Sequence, residues 1–167
     1  MSDITIERAA PRSIAAIGAY ANSASLLPAL TAEFGIAIPA PRSFVRSDSV
    51  TLSCLCPARY LACADRDADL PARFAKSLSG LAAITDQSDQ WAIFKLSGPH
   101  GRDALARLVP IDVAPEKFRV GALALTRASH FDVRLWRIGE STYELAVTRS
   151  YEADFRSILQ KEESVLL

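Results

Sequence analysis

The sequence has no excess of charge of either sign: 19 Lys and Arg stand against 19 Asp and Glu in 167 residues. Nucleic-acid binders draw much of their affinity from surplus Lys and Arg that neutralise phosphates, so the balance argues against such a partner. Thiols and imidazoles are scarce as well. The cysteines are Cys54, Cys56 and Cys63, and the histidines are His100 and His130. A structural metal site wants four such ligands at a recognisable spacing, which this set does not offer. An odd number of cysteines without a secretory leader reads as reduced, buried thiols, with Cys54 and Cys56 on one face of a strand. No apolar run approaches the roughly 20 residues that span a bilayer. The run from Ile14 to Ala21 is far shorter, and Asn22 and Pro28 interrupt its continuation. The first residues carry Asp3 and Glu7 where a leader would need a basic start and an apolar core. The expectation is a cytoplasmic protein with no membrane partner.

What is present is ordinary globular material with an apolar lean: 50% hydrophobic and 23% charged residues, with a mean hydropathy of +0.13. A chain of this length buries roughly 70% of the surface its unfolded form exposes, so it folds without staples. The lean hints at apolar surface covered by a partner.

Periodicity supplies the elements. Near the C-terminus, "FDVRLWRI" and "TYELAV" alternate apolar and polar positions and are joined by Gly139-Glu140-Ser141, which predicts a hairpin. "ALALTRA" at 122–128 is a third strand. Ser150 caps a helix whose first turn holds Glu152 and Asp154, with Tyr151, Phe155, Ile158 and Leu159 on one face. Upstream, "QWAIFKL" is a strand and 99–109 a helix that Pro99 starts, burying Ala104, Leu105, Leu108 and Val109. The first half has similar grammar. "SIAAIGAY" (13–20) is of strand length, and Ser25 caps "LLPALTAEF", with Leu27, Leu30 and Phe34 on a face and Gly35 as its stop. Two more strands lie at 49–56 and 59–64, then a helix over 69–79 with Leu70, Phe74 and Leu78 in register. The stretches 39–48 and 111–121 are long connections. The expected fold is α+β: one domain over 1–167 built from two similar strand-helix-strand-strand-helix halves, about 1–81 and 82–167. Mostly antiparallel sheet is backed by helices.

The stretch Ser97-Gly98-Pro99-His100-Gly101, where a strand meets a helix, is the most chemistry-like. It matches neither a P-loop nor a dinucleotide fingerprint. "GPHG" is formally a GXXG, the tetrapeptide with which KH domains clamp a nucleic-acid backbone, but there it joins two helices. Ser97 with His100 or His130 lacks a nucleophile elbow. Asp132, taken alone, is a solvated aspartate near a turn. Trp91 and Trp136 read as core or interface rings. No catalytic constellation stands out.

From Ile84 to Leu159 the sequence resembles the gamma-subunit family of heterotetrameric sarcosine oxidases, within the folate-binding aminomethyltransferase-like group. The matching features are Asp86 and Ser88, Ser97-Gly98-Pro99, Ile111-Asp112, Phe118, Gly121 and Asp132-Val133-Arg134-Leu135-Trp136-Arg137. "FGIAIPAPRS" and "CPARYLACA" extend the match into the first half, with Cys56 and Tyr60 where that family often has a tryptophan-rich strand with Gly-Pro. The resemblance implies an aminomethyltransferase-like fold and an accessory role in the oxidative demethylation of sarcosine to glycine. FAD, FMN, NAD, tetrahydrofolate and zinc would be held by alpha, beta and delta subunits, and this chain would carry no catalytic, cofactor-binding or metal residue. It also implies that the Ser-Gly-Pro corner is a turn inside the fold. Two rivals remain: a stand-alone tetrahydrofolate-dependent one-carbon enzyme using Asp132, and an RNA-binding module built on Gly98–Gly101.

Overall fold

The computed structural model of the chain describes residues 4–20, 24–35 and 37–165. Among the described residues, ten strands and four helices run in the order β1 (Thr5–Arg8), β2 (Arg12–Ala19), α1 (Leu26–Phe34), β3 (Ser43–Arg46), β4 (Val50–Cys56), β5 (Arg59–Asp65), α2 (Leu70–Ser77), β6 (Ala82–Asp86), β7 (Trp91–Ser97), α3 (Gly101–Leu108), β8 (Leu123–Ala128), β9 (Phe131–Gly139), β10 (Thr142–Thr148) and α4 (Glu152–Val165). They form two compact units, one of residues 11–89 and one of residues 1–10 with 90–167.

Each unit is a five-stranded, wholly antiparallel sheet with two helices. In the 11–89 unit the strand order is β3-β4-β5-β2-β6, and in the other it is β1-β7-β10-β9-β8. The two orders correspond element for element, β2 to β7, β5 to β10, β4 to β9 and β3 to β8. The leading strand of each half is exchanged: β1 pairs with β7, and β6 pairs with β2.

Alternation decides which face is buried. In the 11–89 unit Ala15, Ile17, Leu52 and Ala62 meet Leu26 and Leu30 of α1 and Leu70, Phe74 and Leu78 around α2. In the other unit Phe94, Leu96, Leu135, Tyr143 and Leu145 meet Leu105 of α3 and Phe155 and Leu159 of α4. Phe155 sits edge-on to Phe94, and also to Phe131, at 5.6 Å between ring centroids in both pairs. The β9–β10 hairpin closes as expected through the two residues Glu140 and Ser141, with Gly139 opposite Thr142.

Several local expectations are corrected. Ser25 makes no side-chain cap; its carbonyl accepts the Ala29 N–H, and the chain is already helical there. The buried face of α1 uses Leu26 with Leu30, leaving Leu27 exposed; the Phe34 side chain lies outside the described residues. Gly35 does stop the helix, at φ +64° with its N–H on the Thr31 carbonyl. Tyr151 belongs to a 3-10 turn before α4 and stays half exposed, its ring 5.4 Å from that of Phe131. Cys54 and Cys56 do not share a face. Cys54 opposes Tyr60 and Cys56 opposes Arg59, so Leu55 is an extra residue that resets the two-residue period; Cys54 is buried and Cys56 exposed. The connection 39–48 contains β3, an edge strand of four residues.

Candidate functional site

The Ser97–Gly101 corner is a turn of the scaffold. Ser97 ends β7 in the ladder, opposite Thr5 on one side and Thr142 on the other. The Gly98 carbonyl accepts the Gly101 N–H at 3.0 Å, so Pro99 and His100 are the central residues of a β-turn and α3 begins only at Gly101. Pro99 thus stands before the helix, where its fixed φ suits the second position of a turn. Gly98 at φ +121° adopts a backbone open in practice to glycine, and its N–H donates to the Ser141 carbonyl. A Cβ on Gly101 would meet Leu96 Cδ2 at 2.8 Å. His100 Nδ1 lies 3.1 Å from Asp103 Oδ2 in the first turn of α3, and His130 Nδ1 lies 3.2 Å from Ser129 Oγ in the β8–β9 turn. Because a strand precedes it, the GPHG tetrapeptide does not have the helix-to-helix setting of a KH clamp.

Asp86 and Ser88 also build scaffold. The Ser88 hydroxyl donates to Asp86 Oδ1 at 2.6 Å and accepts the Ile14 N–H at 3.0 Å, clipping β2 to the residues after β6. The hydroxyl and N–H of Ser88 hold the Asp86 carboxyl below its ordinary range.

Arg137 has no distinct role legible in the sequence, yet it is a buried polar anchor of its unit. It is 4% exposed, and its guanidinium donates to the carbonyls of Phe118 and Glu140, each at 2.8 Å, and of Gly139 at 3.3 Å. One side chain therefore ties the end of the 111–121 connection to the β9–β10 turn. The visible signal was an arginine in the apolar run "LWRIG" directly before a turn.

The open concavity of this unit, about 350 Å³, lies at the end of β7, β8, β9 and β10, where Trp91, Leu125, Arg127, Asp132, Arg134 and Thr148 come together. The Arg134 guanidinium lies over the Trp91 ring, 3.9 Å from its centroid. Burial lowers the Arg134 pKa to about 10, which leaves the group charged at neutral pH but poorly hydrated. Asp132 is the solvated aspartate expected, 94% exposed, with Oδ1 3.6 Å from Arg127 Nε. A second hollow of about 330 Å³, lined by His130, Phe131, Asp132, Thr148, Tyr151 and Asp154, adjoins it. Trp136 is buried, opposite Glu144 in the ladder. Among the described residues no three His, Cys, Asp or Glu are grouped to hold a metal, and no helix is long and apolar enough to cross a membrane.

Two antiparallel five-stranded sheets, each carrying paired helices and a glycine-rich strand-to-helix corner in the second, define an α+β fold of the aminomethyltransferase type. The chain belongs to the family described as the GCVT N-terminal domain, whose model matches residues 36–164. It is similar to sarcosine oxidase subunit gamma of Corynebacterium sp. (strain P-1), 29% identical over 96 residues, which is 57% of this chain and 47% of that one. The same subunit of Arthrobacter sp is 28% identical over 118 residues, 69% of this chain and 58% of that one. The chain thus spans about half the length of the curated relatives it matches. Among solved structures, heterotetrameric sarcosine oxidase from Corynebacterium sp. U-96 in complex with pyrrole 2-carboxylate shares the fold at a TM-score of 0.88 and 21% identity, over 98% of this chain and 85% of that one. Glycine cleavage system aminomethyltransferase T from Bartonella henselae does so at 0.67 and 14%, over 95% and 45%. The expected fold class and family likeness are borne out.

Proposed function

We propose that this chain is an accessory subunit of a multi-subunit, flavin-dependent sarcosine oxidase, located in the cytoplasm. The observation that carries the reading is a coincidence of two likenesses. The sequence relatives are named gamma subunits of sarcosine oxidase, and nearly the whole chain shares its fold with a chain of a heterotetrameric sarcosine oxidase. In this reading the partners are alpha, beta and delta subunits. Those subunits hold FAD, FMN, NAD, tetrahydrofolate and zinc, and they convert sarcosine to glycine with hydrogen peroxide and formaldehyde or methylene-tetrahydrofolate. This chain contributes buried interface, stabilising the folded partners by mass action rather than by chemistry.

The test is purification of the tagged chain from its native cells, with mass spectrometry and an absorbance spectrum of the eluate. Stoichiometric larger subunits with a flavin spectrum and sarcosine-dependent peroxide formation are expected. A colourless, partner-free protein refutes the reading, and folate binding by that isolated chain would move the assignment to a one-carbon enzyme using Asp132.

A further inference from the structure

We propose that the hollow beside Phe131 and Tyr151 seats a lysine or arginine side chain of a partner subunit, its cation against the Tyr151 ring and the carboxylates of Asp132 and Asp154. The inference deepens the accessory-subunit reading and rests on it.

The internal repeat supplies the first argument, because it separates what the fold needs at this corner from what has been added. Arg12 opposes Asp65 at the end of one ladder, and Trp91 opposes Thr148 at the equivalent end of the other. Two residues back along β5 and β10, Cys63 opposes Thr51 and Ala146 opposes Arg134. Thr51 pairs in turn with Arg46, and Arg134 with Leu125. Beyond those matching pairs the 11–89 hairpin closes at once, the Ser47 N–H donating to the Val50 carbonyl. The other hairpin runs on through Arg127–Asp132 and Ala128–Phe131. After the strands, the 3-10 turn Arg66–Ala68 corresponds to Arg149–Tyr151, so a tyrosine stands where the 11–89 unit has alanine. The longer hairpin and that ring build a hollow of about 330 Å³ lined by His130, Phe131, Asp132, Thr148, Tyr151 and Asp154. The 11–89 unit has neither, so neither is required by the shared scaffold.

The second argument is charge and ring chemistry. The lining holds two carboxylates and no lysine or arginine. Arg134, over Trp91, belongs to the neighbouring concavity. Arg127 reaches Asp132 from outside the lining, Nε to Oδ1 at 3.6 Å, but the two side chains are 62% and 94% exposed, and a pair so open to water binds weakly. The hollow is therefore complementary to a further cation. Tyr151 is 49% exposed, and its ring packs 5.4 Å from that of the buried Phe131, with the His130 ring 4.1 Å from Phe131 as well. An aromatic face already held in place beside carboxylates attracts a guanidinium or ammonium at little cost in side-chain entropy. Tyrosine and arginine are also residues in which interface binding energy concentrates.

The test uses the tagged chain assembled with its partners in native cells. Tyr151→Ala and Asp154→Lys should each lower recovery of the larger subunits about tenfold or more. Tyr151→Phe, which keeps the ring, should recover them at the wild-type level. Asp67→Lys, a charge reversal in the corresponding turn of the other unit, should do the same. Thermal melts of the purified variants establish that they fold, and the exposed Asp154 variant carries the test if Tyr151→Ala does not. A benzophenone side chain placed at position 151 should cross-link to a segment of a larger subunit that contains Lys or Arg. Reversing that residue to Asp should restore recovery to the Asp154→Lys chain. Wild-type recovery by both folded variants, an equal loss with Asp67→Lys, a cross-link to a second copy of this chain, or failure of the paired reversal overturns this docking site and leaves the accessory-subunit reading intact. A wild-type chain that recovers no larger subunit overturns both.

Discussion

Replacing Arg137 by methionine tests whether one buried guanidinium holds the two ends of the β8–β10 region together. The bonds to the Phe118 and Glu140 carbonyls are 2.8 Å each, and the one to Gly139 is 3.3 Å. A hydrogen bond to a charged group is worth about 1.5–3 kcal/mol net, and methionine fills similar volume without replacing any donor. Taking the two short bonds at the low end, the expected loss is about 3 kcal/mol, with the longer one adding a few tenths. For a chain of this size that corresponds to a fall in Tm of about 6–12 °C. Lysine has one ammonium in place of a fork, so Arg137→Lys should recover less than half of the loss. The carboxylate of Glu140 is not the source: it is 96% exposed and 3.9 Å from the guanidinium, so Glu140→Gln should stay within about 0.5 kcal/mol of wild type. Urea titrations followed by tryptophan fluorescence give the stabilities. Hydrogen exchange at Gly121, whose N–H donates to the Arg137 carbonyl, reports the local effect. An Arg137→Met protein within about 1 kcal/mol of wild type would refute the reasoning, because the carbonyls would then be satisfied without the guanidinium.

Three other substitutions probe the scaffold and the last helix. Gly101→Ala should lose stability, by about 1 kcal/mol in urea titration: the added Cβ, 2.8 Å from Leu96 Cδ2 in a filled core, outweighs the helix-propensity gain, and Leu96→Val in the same chain should relieve it. Tyr143→Phe should be neutral or stabilising by up to about 1 kcal/mol in a thermal melt, since among the described residues nothing accepts a hydrogen bond from the buried Tyr143 hydroxyl. The hydrogen bond from Arg8 holds the Glu152 carboxyl below its ordinary pKa, with Arg156 assisting. That stability is present above the unfolded carboxyl pKa and is lost as pH falls through the folded one. Glu152→Gln should therefore cost about 1 kcal/mol at pH 7, and the difference from wild type should shrink as pH falls through the lowered carboxyl pKa, as read from Tm against pH.

The sequence made legible those elements that bury one full face. α1 falls at the residues expected, and the β9–β10 hairpin has the expected strands and turn. β1, β3 and β6 were invisible for a shared reason. All three are sheet edges of four or five residues. An edge strand pairs on one side only, and in β1 and β6 the partner lies far along the chain. In β1 the pattern TIER buries no residue fully, so no alternation rises above the surrounding polar positions. The Cys54–Cys56 reading failed because periodicity assumes a regular ladder, and a single extra residue at Leu55 inverts it. At the corner, Asp132 met expectation as a solvated carboxylate, whereas Arg134 gained its interest from Trp91, distant in the chain and joined to it only through the sheet. A stack of that kind has no spacing to read.

The exchange of leading strands explains how a repeat visible in the order of elements becomes something other than two independent modules. Thr5 of β1 pairs with Ser97, and Ile17 of β2 pairs with Ile84, so each sheet is completed by a strand from the other half of the sequence. Arg8 then joins the last helix through Glu152, 144 residues away. Such long-range pairings make ordering slow, because the loop between partners must close before either strand gains its bonds. They also commit both halves to the same scaffold. Once the sheets are fixed, side chains at the strand ends are the positions free to change, since they lie outside the helix-facing cores. The corner with Arg12 and Asp65 and the corner with Trp91 and Thr148 are the same backbone carrying different chemistry. The divergence falls where it costs the fold least.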